Sequence, residues 1–342
     1  MIMNSPILLV GAFSSSPSVY TYATSFVSAL QTVGHDVISF NYRTKPTPLQ
    51  SLNQILINKK LIRTCKKLKP WLVFIIKGET IAPSTLKAIK ANNPAIKIIN
   101  FYPDNPFAVW NGNSNSNVLM SLPMIDCFMS WSPALAPILK TAGCKHVCYF
   151  PFAYDPEIFN QEITISEDDY KIYYSDLCFI GTWEPEREQW LTAIKQRLPN
   201  LTLAIWGNLW AERCKNPELI RSLRGKAMYG TSMIKAFRCA TIVLNFIRQQ
   251  NALGHNMRTF EVPASKAFLL TQWTEEQAEI LFEENKTVAC FKTVDELVEK
   301  IMYYSHSQER EILIQKSYEH VQNYTLHRQL FTHFETCPIL RR

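Results

Sequence analysis

Short apolar runs rich in β-branched and aromatic residues alternate along this chain with longer stretches of helical periodicity. That alternation restricts the chain to parallel sheets wrapped by helices. In the first half Ile7-Leu8-Leu9-Val10-Gly11 reads as a strand, Val19–Val33 as a helix stopped by Gly34, and Asp36–Phe40 as a second strand. Leu49–Leu68 reads as a helix with a basic outer face, Trp71–Ile76 as a buried strand, and Pro83–Lys90 as a helix opened by its proline. Ile96–Phe101 and Cys127–Trp131 follow as strands, with the polar, turn-rich loop Trp110–Asn117 between them.

The pattern changes around Phe150-Pro151-Phe152-Ala153-Tyr154-Asp155-Pro156, and Glu162–Tyr174 is an acidic, tyrosine-rich connection. A second series then begins, with strands expected at Leu177–Gly181, Leu201–Gly207, Ile242–Phe246, Ala267–Leu270 and Thr287–Phe291. The helices between and after them are expected at Glu186–Gln196, Met233–Phe237, Asn256–Ser265, Glu275–Phe282 and Val294–Tyr304. A helical tail, Gln308–Phe334, is long enough to pack back on the first half. The expected division is a domain over 1–155, a second over 156–320, and a returning helix and tail over 321–342. With 342 residues, 47% of them hydrophobic, the chain can build two cores.

Composition excludes several classes. Only 19% of residues are charged, so most of the chain is not disordered. No apolar run approaches the ~18 residues of a membrane span. The first ten residues lack a basic region and a long apolar core, so they read as a strand and not a signal peptide, and a cytoplasmic location is the expectation. The net charge of +7 suits small anions or a membrane surface; the dense basic runs of a nucleic-acid-binding arm are missing. Nine scattered cysteines argue for reduced thiols. The nearest cluster, Cys144-Lys145-His146-Val147-Cys148, lacks a second ligand pair and reads as buried core thiols, so no metal site is expected.

Two stretches of the second half carry candidate chemistry. Phe179-Ile180-Gly181-Thr182-Trp183-Glu184-Pro185-Glu186-Arg187 sets a glycine where a strand turns into a helix, a turn that suits a phosphate or is simply a turn. Arg187 lies one turn in, either against a diphosphate or on a solvated helix face. Leu244-Asn245-Phe246-Ile247-Arg248 leads through a polar loop to Gly254-His255-Asn256-Met257-Arg258-Thr259-Phe260-Glu261-Val262-Pro263-Ala264. Asn256 is a good N-cap, whereas an arginine in the first turn opposes the helix dipole and makes sense beside a bound anion. Glu261 is spaced to accept from a ribose diol while Arg258 and backbone N–H groups hold phosphates. An i, i+3 surface pair between Arg258 and Glu261 is the alternative.

In the first half, Glu79 and Asp104 follow buried strands at the sheet edge where ligands bind in doubly wound folds. With Lys77 they can supply a general base for an acceptor hydroxyl and a cation for a leaving phosphate, or form an ion pair that shapes the loops. The first turn, Val10 to Tyr20, lacks G-x-G-x-x-G, and its serines Ser14 to Ser18 cap the next helix or bond a sugar.

From Tyr149 to about Leu330 the chain resembles the CgeB-like glycosyltransferases, named from a spore maturation protein, within the GT-B superfamily. The resemblance rests on Phe179-Ile180-Gly181-Thr182-Trp183 with Pro185-Glu186-Arg187, on Leu244-Asn245-Phe246, on Asn256 to Ala264, and on Phe268-Leu269-Leu270-Thr271. It extends less densely to Trp71–Glu79, Asn100–Phe107 and Phe150–Pro156. It implies an α/β fold of two Rossmann-like doubly wound domains facing across a cleft, and transfer of a sugar from a nucleotide diphosphate sugar donor to an unidentified acceptor. No cofactor and no metal are implied; no Asp-x-Asp occurs. It also implies Glu261 on the ribose, Arg258 and Asn256 near the diphosphate, Gly181 at the cleft, and Tyr229-Gly230 near the nucleobase. His255 lies close enough to position the donor, or is a hydrogen-bonded surface residue. Many retaining GT-B enzymes carry a glutamate eight positions before the equivalent of Glu261; here that residue is Leu253. A non-catalytic nucleotide-sugar-binding or scaffold protein therefore stands as an alternative; a nucleotide-sugar epimerase is a second, of which the sequence gives no separate sign. The basic helix around Lys59–Lys69 is either a solvated face or a peripheral membrane contact.

Overall fold

The computed structural model describes residues 5–14, 21–43, 50–107, 115–251 and 253–340. The expected roles of Ser15 to Ser18 and most of the Trp110–Asn117 loop lie outside them. The chain divides into two units, one running to Phe152 and resuming at Leu326, the other spanning Ala153–Thr325. The two connections run side by side: Tyr154 N–H donates to Tyr324 O at 3.1 Å.

The first unit holds strands β1 (Ile7–Gly11), β2 (Val37–Asn41), β3 (Leu72–Ile76), β4 (Lys97–Tyr102), β5 (Cys127–Ser130) and β6 (Val147–Tyr149). They form one six-stranded sheet in the order β2-β1-β3-β4-β5-β6, parallel at every pair. β1 and β3 are buried along their whole length, as continuous apolar runs covered by helices on both faces must be. The sixth strand overlaps the end of the Cys144–Cys148 stretch, and its three residues are too few to stand out by periodicity.

The second unit holds β7 (Ser175–Ile180), β8 (Leu203–Trp206), β9 (Leu223–Gly225), β10 (Ala240–Asn245), β11 (Leu269–Gln272) and β12 (Ala289–Phe291). This sheet is also six-stranded and parallel, in the order β12-β11-β10-β7-β8-β9. Counted from β7, that is the 3-2-1-4-5-6 order of dinucleotide-binding sheets, with its switch point between β7 and β10. The first sheet switches between β1 and β3 instead. Among the described residues no helix is long and apolar enough to cross a membrane.

Three segments differ from expectation. Glu162–Tyr174 is not merely a connection: Glu167–Tyr173 is a helix closed by a capping box of Ser166 and Asp169, and Asp169 is bound by Lys235 at 2.8 Å. Glu275–Phe282 is wound as a π-helix over Glu276–Leu281. The tail is two helices, Glu309–Val321 and Leu326–Thr336, broken by a 3₁₀ turn at Gln322–Tyr324. Only the last helix belongs with the first unit, where it packs on the Tyr22–Thr32 helix.

Candidate functional site

The switch point of the second sheet sets the ends of β7 and β10 side by side, with Phe179 in register with Leu244. At the end of β7, Gly181 N–H donates to Trp206 O at 2.9 Å, and Gly181 O accepts from Trp210 Nε1 at 2.8 Å. Its N–H is therefore committed to the neighbouring strand and is not offered to a phosphate. The backbone of Gly207 passes so close that a Cβ there would lie 1.9 Å from Gly181 O. Gly207→Ala is therefore expected to cost ~3 kcal/mol or more in a urea titration of the chain; a midpoint unchanged from the parent would show that the two strand ends are not pinned together.

Arg187 is not on a solvated helix face. It is 8% exposed, and its guanidinium lies 5.5 Å from the centre of the Phe179 ring. Nη1 donates to Thr182 O at 2.8 Å and Nη2 to Phe246 O at 3.3 Å, so one side chain ties together the loops that follow β7 and β10. Burial pushes its pKa down to about 10, which leaves it charged at neutral pH. Glu184 stands between two cations, with Oε1 2.7 Å from Arg248 Nε and Oε2 3.9 Å from Arg187 Nε. Glu184 and Arg248 are not among the residues the sequence pattern points to, although both lie inside the two stretches that carry candidate chemistry.

Asn256 reaches back to β10: its Nδ2 donates to Asn245 Oδ1 at 2.8 Å, and its Oδ1 accepts from Arg258 N–H at 2.9 Å. The helix it precedes runs Arg258–Ala264, two residues later than expected. The N–H groups of Thr259, Phe260 and Glu261 are bonded to Asn256 O and Met257 O. With Arg258 N–H capped, the first turn has no backbone donors left for phosphates, which corrects that part of the expectation. What remains is the side chains. Arg258 Nη1 pairs with Glu261 Oε2, and its Nε lies 3.4 Å from Ile180 O. The i, i+3 pair exists, but it is not a surface pair: Glu261 is 4% exposed.

A buried polar chain supports this arrangement. Asn245 Nδ2 donates to Thr271 Oγ1 at 3.0 Å, while Thr271 and Thr259 hydroxyls converge on Gln277 Oε1 at 3.3 and 2.7 Å. Gln277 sits in the π-helix, an irregularity often found at functional sites. His255 is wholly buried, with Nδ1 2.9 Å from Glu276 Oε2 and its ring edge-on to Phe260. The reading of His255 as a surface loop residue is thereby corrected; its partner lies 21 residues ahead, where no local pattern points to it. Tyr229 is exposed, and it precedes the Gly230–Cys239 helix without a side-chain cap. Leu253 is 73% exposed.

In the first unit, Lys77 and Gly78 turn out of β3 with φ of 62° and 83°. The turn brings Lys77 Nζ to 2.9 Å from Asp104 Oδ2 and 3.4 Å from Glu79 Oε1. Burial opposes the lysine's charge, but the two carboxylates outweigh it and its pKa is raised. Both pairings weighed in the sequence are thus present at once, at the carboxyl edge of β3 and β4. Tyr42 closes the turn from behind, its hydroxyl donating to Ile76 O at 3.1 Å and accepting from Gly78 N–H at 3.3 Å.

Comparison with known proteins adds the following. The model of a family described as "Glycosyl transferase-like" matches residues 187–335. No curated protein matches the chain. Among solved structures, a glycosyltransferase from Rickettsia africae superposes with a TM-score of 0.69 at 12% identity, covering 99% of this chain and all of its own. A sucrose-phosphate synthase from Thermosynechococcus elongatus gives 0.68 at 10% identity over 96% of this chain and 98% of its own. A protein from Listeria monocytogenes assigned as a UDP-N-acetylglucosamine 2-epimerase gives 0.57 at 12% identity over 98% and 99%. Identities this low speak to the fold: two parallel six-stranded α/β units of the GT-B kind.

Proposed function

We propose that this chain is a glycosyltransferase that takes a hexosyl group from a nucleotide diphosphate sugar and passes it to an acceptor hydroxyl. The observation that carries the reading is the group of charges at the β7/β10 switch point. Three guanidinium groups, Arg187, Arg248 and Arg258, stand there against two carboxylates, Glu184 and Glu261. The excess positive charge lies at the sheet edge where open α/β folds bind nucleotides, inside the segment matched by the glycosyl transferase-like family.

In this reading Arg258 turns from Glu261 to the diphosphate and stabilises charge developing on the leaving phosphate, in place of a divalent cation. Glu261, freed of its partner, accepts from the ribose hydroxyls. Asn256 holds the start of the helix to β10 so that both side chains keep their register. Exposed Tyr229 and half-buried Gly230 supply a face for the base, and Gly181 lets the donor approach the end of β7. Asp104, the more buried of the two carboxylates at Lys77, takes the acceptor proton, with Glu79 beside it. The CgeB-like resemblance and a cytoplasmic setting belong to the same proposal, and no cofactor beyond the donor is needed.

The test is a thermal-shift panel of nucleoside diphosphates and nucleotide sugars, followed by hydrolysis of any that bind. At ~100 times its dissociation constant a ligand adds ~2.7 kcal/mol of stability, and slow release of free sugar marks turnover. If no nucleotide shifts the transition, the donor reading fails. One observation favours a second reading: Leu253, largely in solvent, stands where many retaining enzymes carry a carboxylate. A chain that binds nucleotide sugar but neither hydrolyses nor transfers it would be the binding protein this substitution suggests.

A further inference from the structure

The tail brings a histidine and a cysteine to a pair of strand cysteines in the first unit. Met129 is in register with Cys148 across β5 and β6, so Cys127, two residues before Met129, projects on the same sheet face as Cys148. His333 lies on the last helix and Cys337 directly follows its end, one turn on, its N–H still donating to His333 O at 2.9 Å, so the two side chains share one face. That face lies over the two strand cysteines. One ligand atom from each of Cys127, Cys148, His333 and Cys337 lies within 4.8 Å of the other three.

Two simpler accounts fit less well. A Cys127–Cys148 disulfide would need ~2.04 Å between sulfurs; they are 3.0 Å apart, and such a bond would leave Cys337 and His333 with nothing to do. A purely apolar thiol cluster leaves the buried Nε2 of His333 without a hydrogen-bond partner among the described residues, a state proteins seldom tolerate. A single tetrahedral ion uses all four groups at once. Bonds of ~2.3 Å to sulfur place tetrahedral thiolates ~3.8 Å apart; Cys148 and Cys337 are already at 3.7 Å, and Cys127 and Cys148, at 3.0 Å, need to part by ~0.8 Å to take an ion between them.

We propose that Cys127, Cys148, His333 and Cys337 form a structural zinc site that staples the last helix to the β5–β6 edge of the first sheet. Three soft thiolates and an imidazole select a d¹⁰ ion over magnesium or calcium, and four protein ligands leave no open position for catalysis. Binding deprotonates the three thiols, releases three protons and leaves the site with a net charge of −1. The ion closes a loop that contains the entire second unit, since Cys148 and Cys337 are 189 residues apart. The second ligand pair missing near Cys144–Cys148 is thus supplied by the tail, while Cys144 stays outside the cluster, its thiol bonded to His146 O at 3.3 Å. None of the four ligands lies in the second unit, so the inference stands or falls apart from the donor reading.

The whole chain, produced with zinc and purified under reductant, is expected to carry one zinc per molecule by mass spectrometry. Cobalt exchanged into it should give the thiolate charge-transfer and tetrahedral ligand-field absorption of a three-sulfur, one-nitrogen site. Cys337→Ser and His333→Ala should each weaken binding ~100-fold or more, whereas Cys65→Ser, outside the cluster, should retain the metal. Chelation of the parent chain should raise hydrogen exchange in Leu326–Thr336, which keeps the test independent of whether a variant folds. A parent chain without bound zinc or tetrahedral cobalt absorption, or with a Cys127–Cys148 disulfide in peptide maps of the reduced preparation, would overturn the proposal.

Discussion

Arg258→Ala is expected to remove nucleotide-dependent stabilisation and to weaken the fold at the same time, two effects with separate causes. A charge-assisted hydrogen bond to phosphate contributes ~1.5–3 kcal/mol. Losing it raises the dissociation constant about 10- to 100-fold, so a ligand first supplied at ~100 times that constant is left at about 1 to 10 times it, where the stabilisation falls from ~2.7 to ~0.4–1.4 kcal/mol. The second effect arises inside the chain. Glu261 is 4% exposed, and without Arg258 its carboxylate is left buried and unpaired, at a cost of ~3 kcal/mol. Glu261→Gln is the gentler change, because the Arg258 side chain is 21% exposed and keeps its contact with Ile180 O. The double variant should therefore be more stable than Arg258→Ala alone, yet equally blind to nucleotide. Chemical denaturation with and without a nucleoside diphosphate separates the two. An Arg258→Ala chain that responds to nucleotide as the parent does would remove Arg258 from the donor site.

Arg187→Met should destabilise the second unit by ~2–4 kcal/mol without creating a large cavity. The change strips donors from Thr182 O and Phe246 O and removes the cation over Phe179. Glu184 is less affected, since Arg248 remains 2.7 Å away. For a unit of this size that cost lowers the melting transition by roughly 5–15 °C. Lysine should not rescue it, because a single ammonium on a flexible stem cannot span two carbonyls that a planar guanidinium reaches at once. Differential scanning calorimetry reads the result, and because two units are present the transitions must be resolved before they are compared. A methionine variant that melts with the parent would mean that the two strand-end loops are held by other contacts.

Local pattern carried much of the architecture. The β1, β3, β4 and β5 runs are so apolar that burial on both faces was legible before any partner was known, and the glycines and prolines between elements punctuated the rest. Ser166-x-x-Asp169 is a capping box equally legible in the sequence, set inside an acidic stretch whose charge masks it. The candidate site was legible as a string: strand, polar loop, then Asn256, Arg258 and Glu261 at the start of a helix. Its wiring was not. Asn256 finds its acceptor 11 residues back on β10, Thr259 converges with Thr271 on Gln277, and His255 pairs with Glu276 from a π-turn that no periodicity announces.

By itself, then, the sequence determined the alternation that makes two parallel α/β sheets, because strand and helix periods are set by neighbours a few residues apart. The tertiary structure decided the rest. Strand order placed the switch points between β7 and β10 and between β1 and β3, and so chose which loops meet. Packing turned Arg187 inward beneath them. The returning helix carried His333 and Cys337 to Cys127 and Cys148. Each of these depends on which distant segments share a surface, and spacing along the chain holds no record of that.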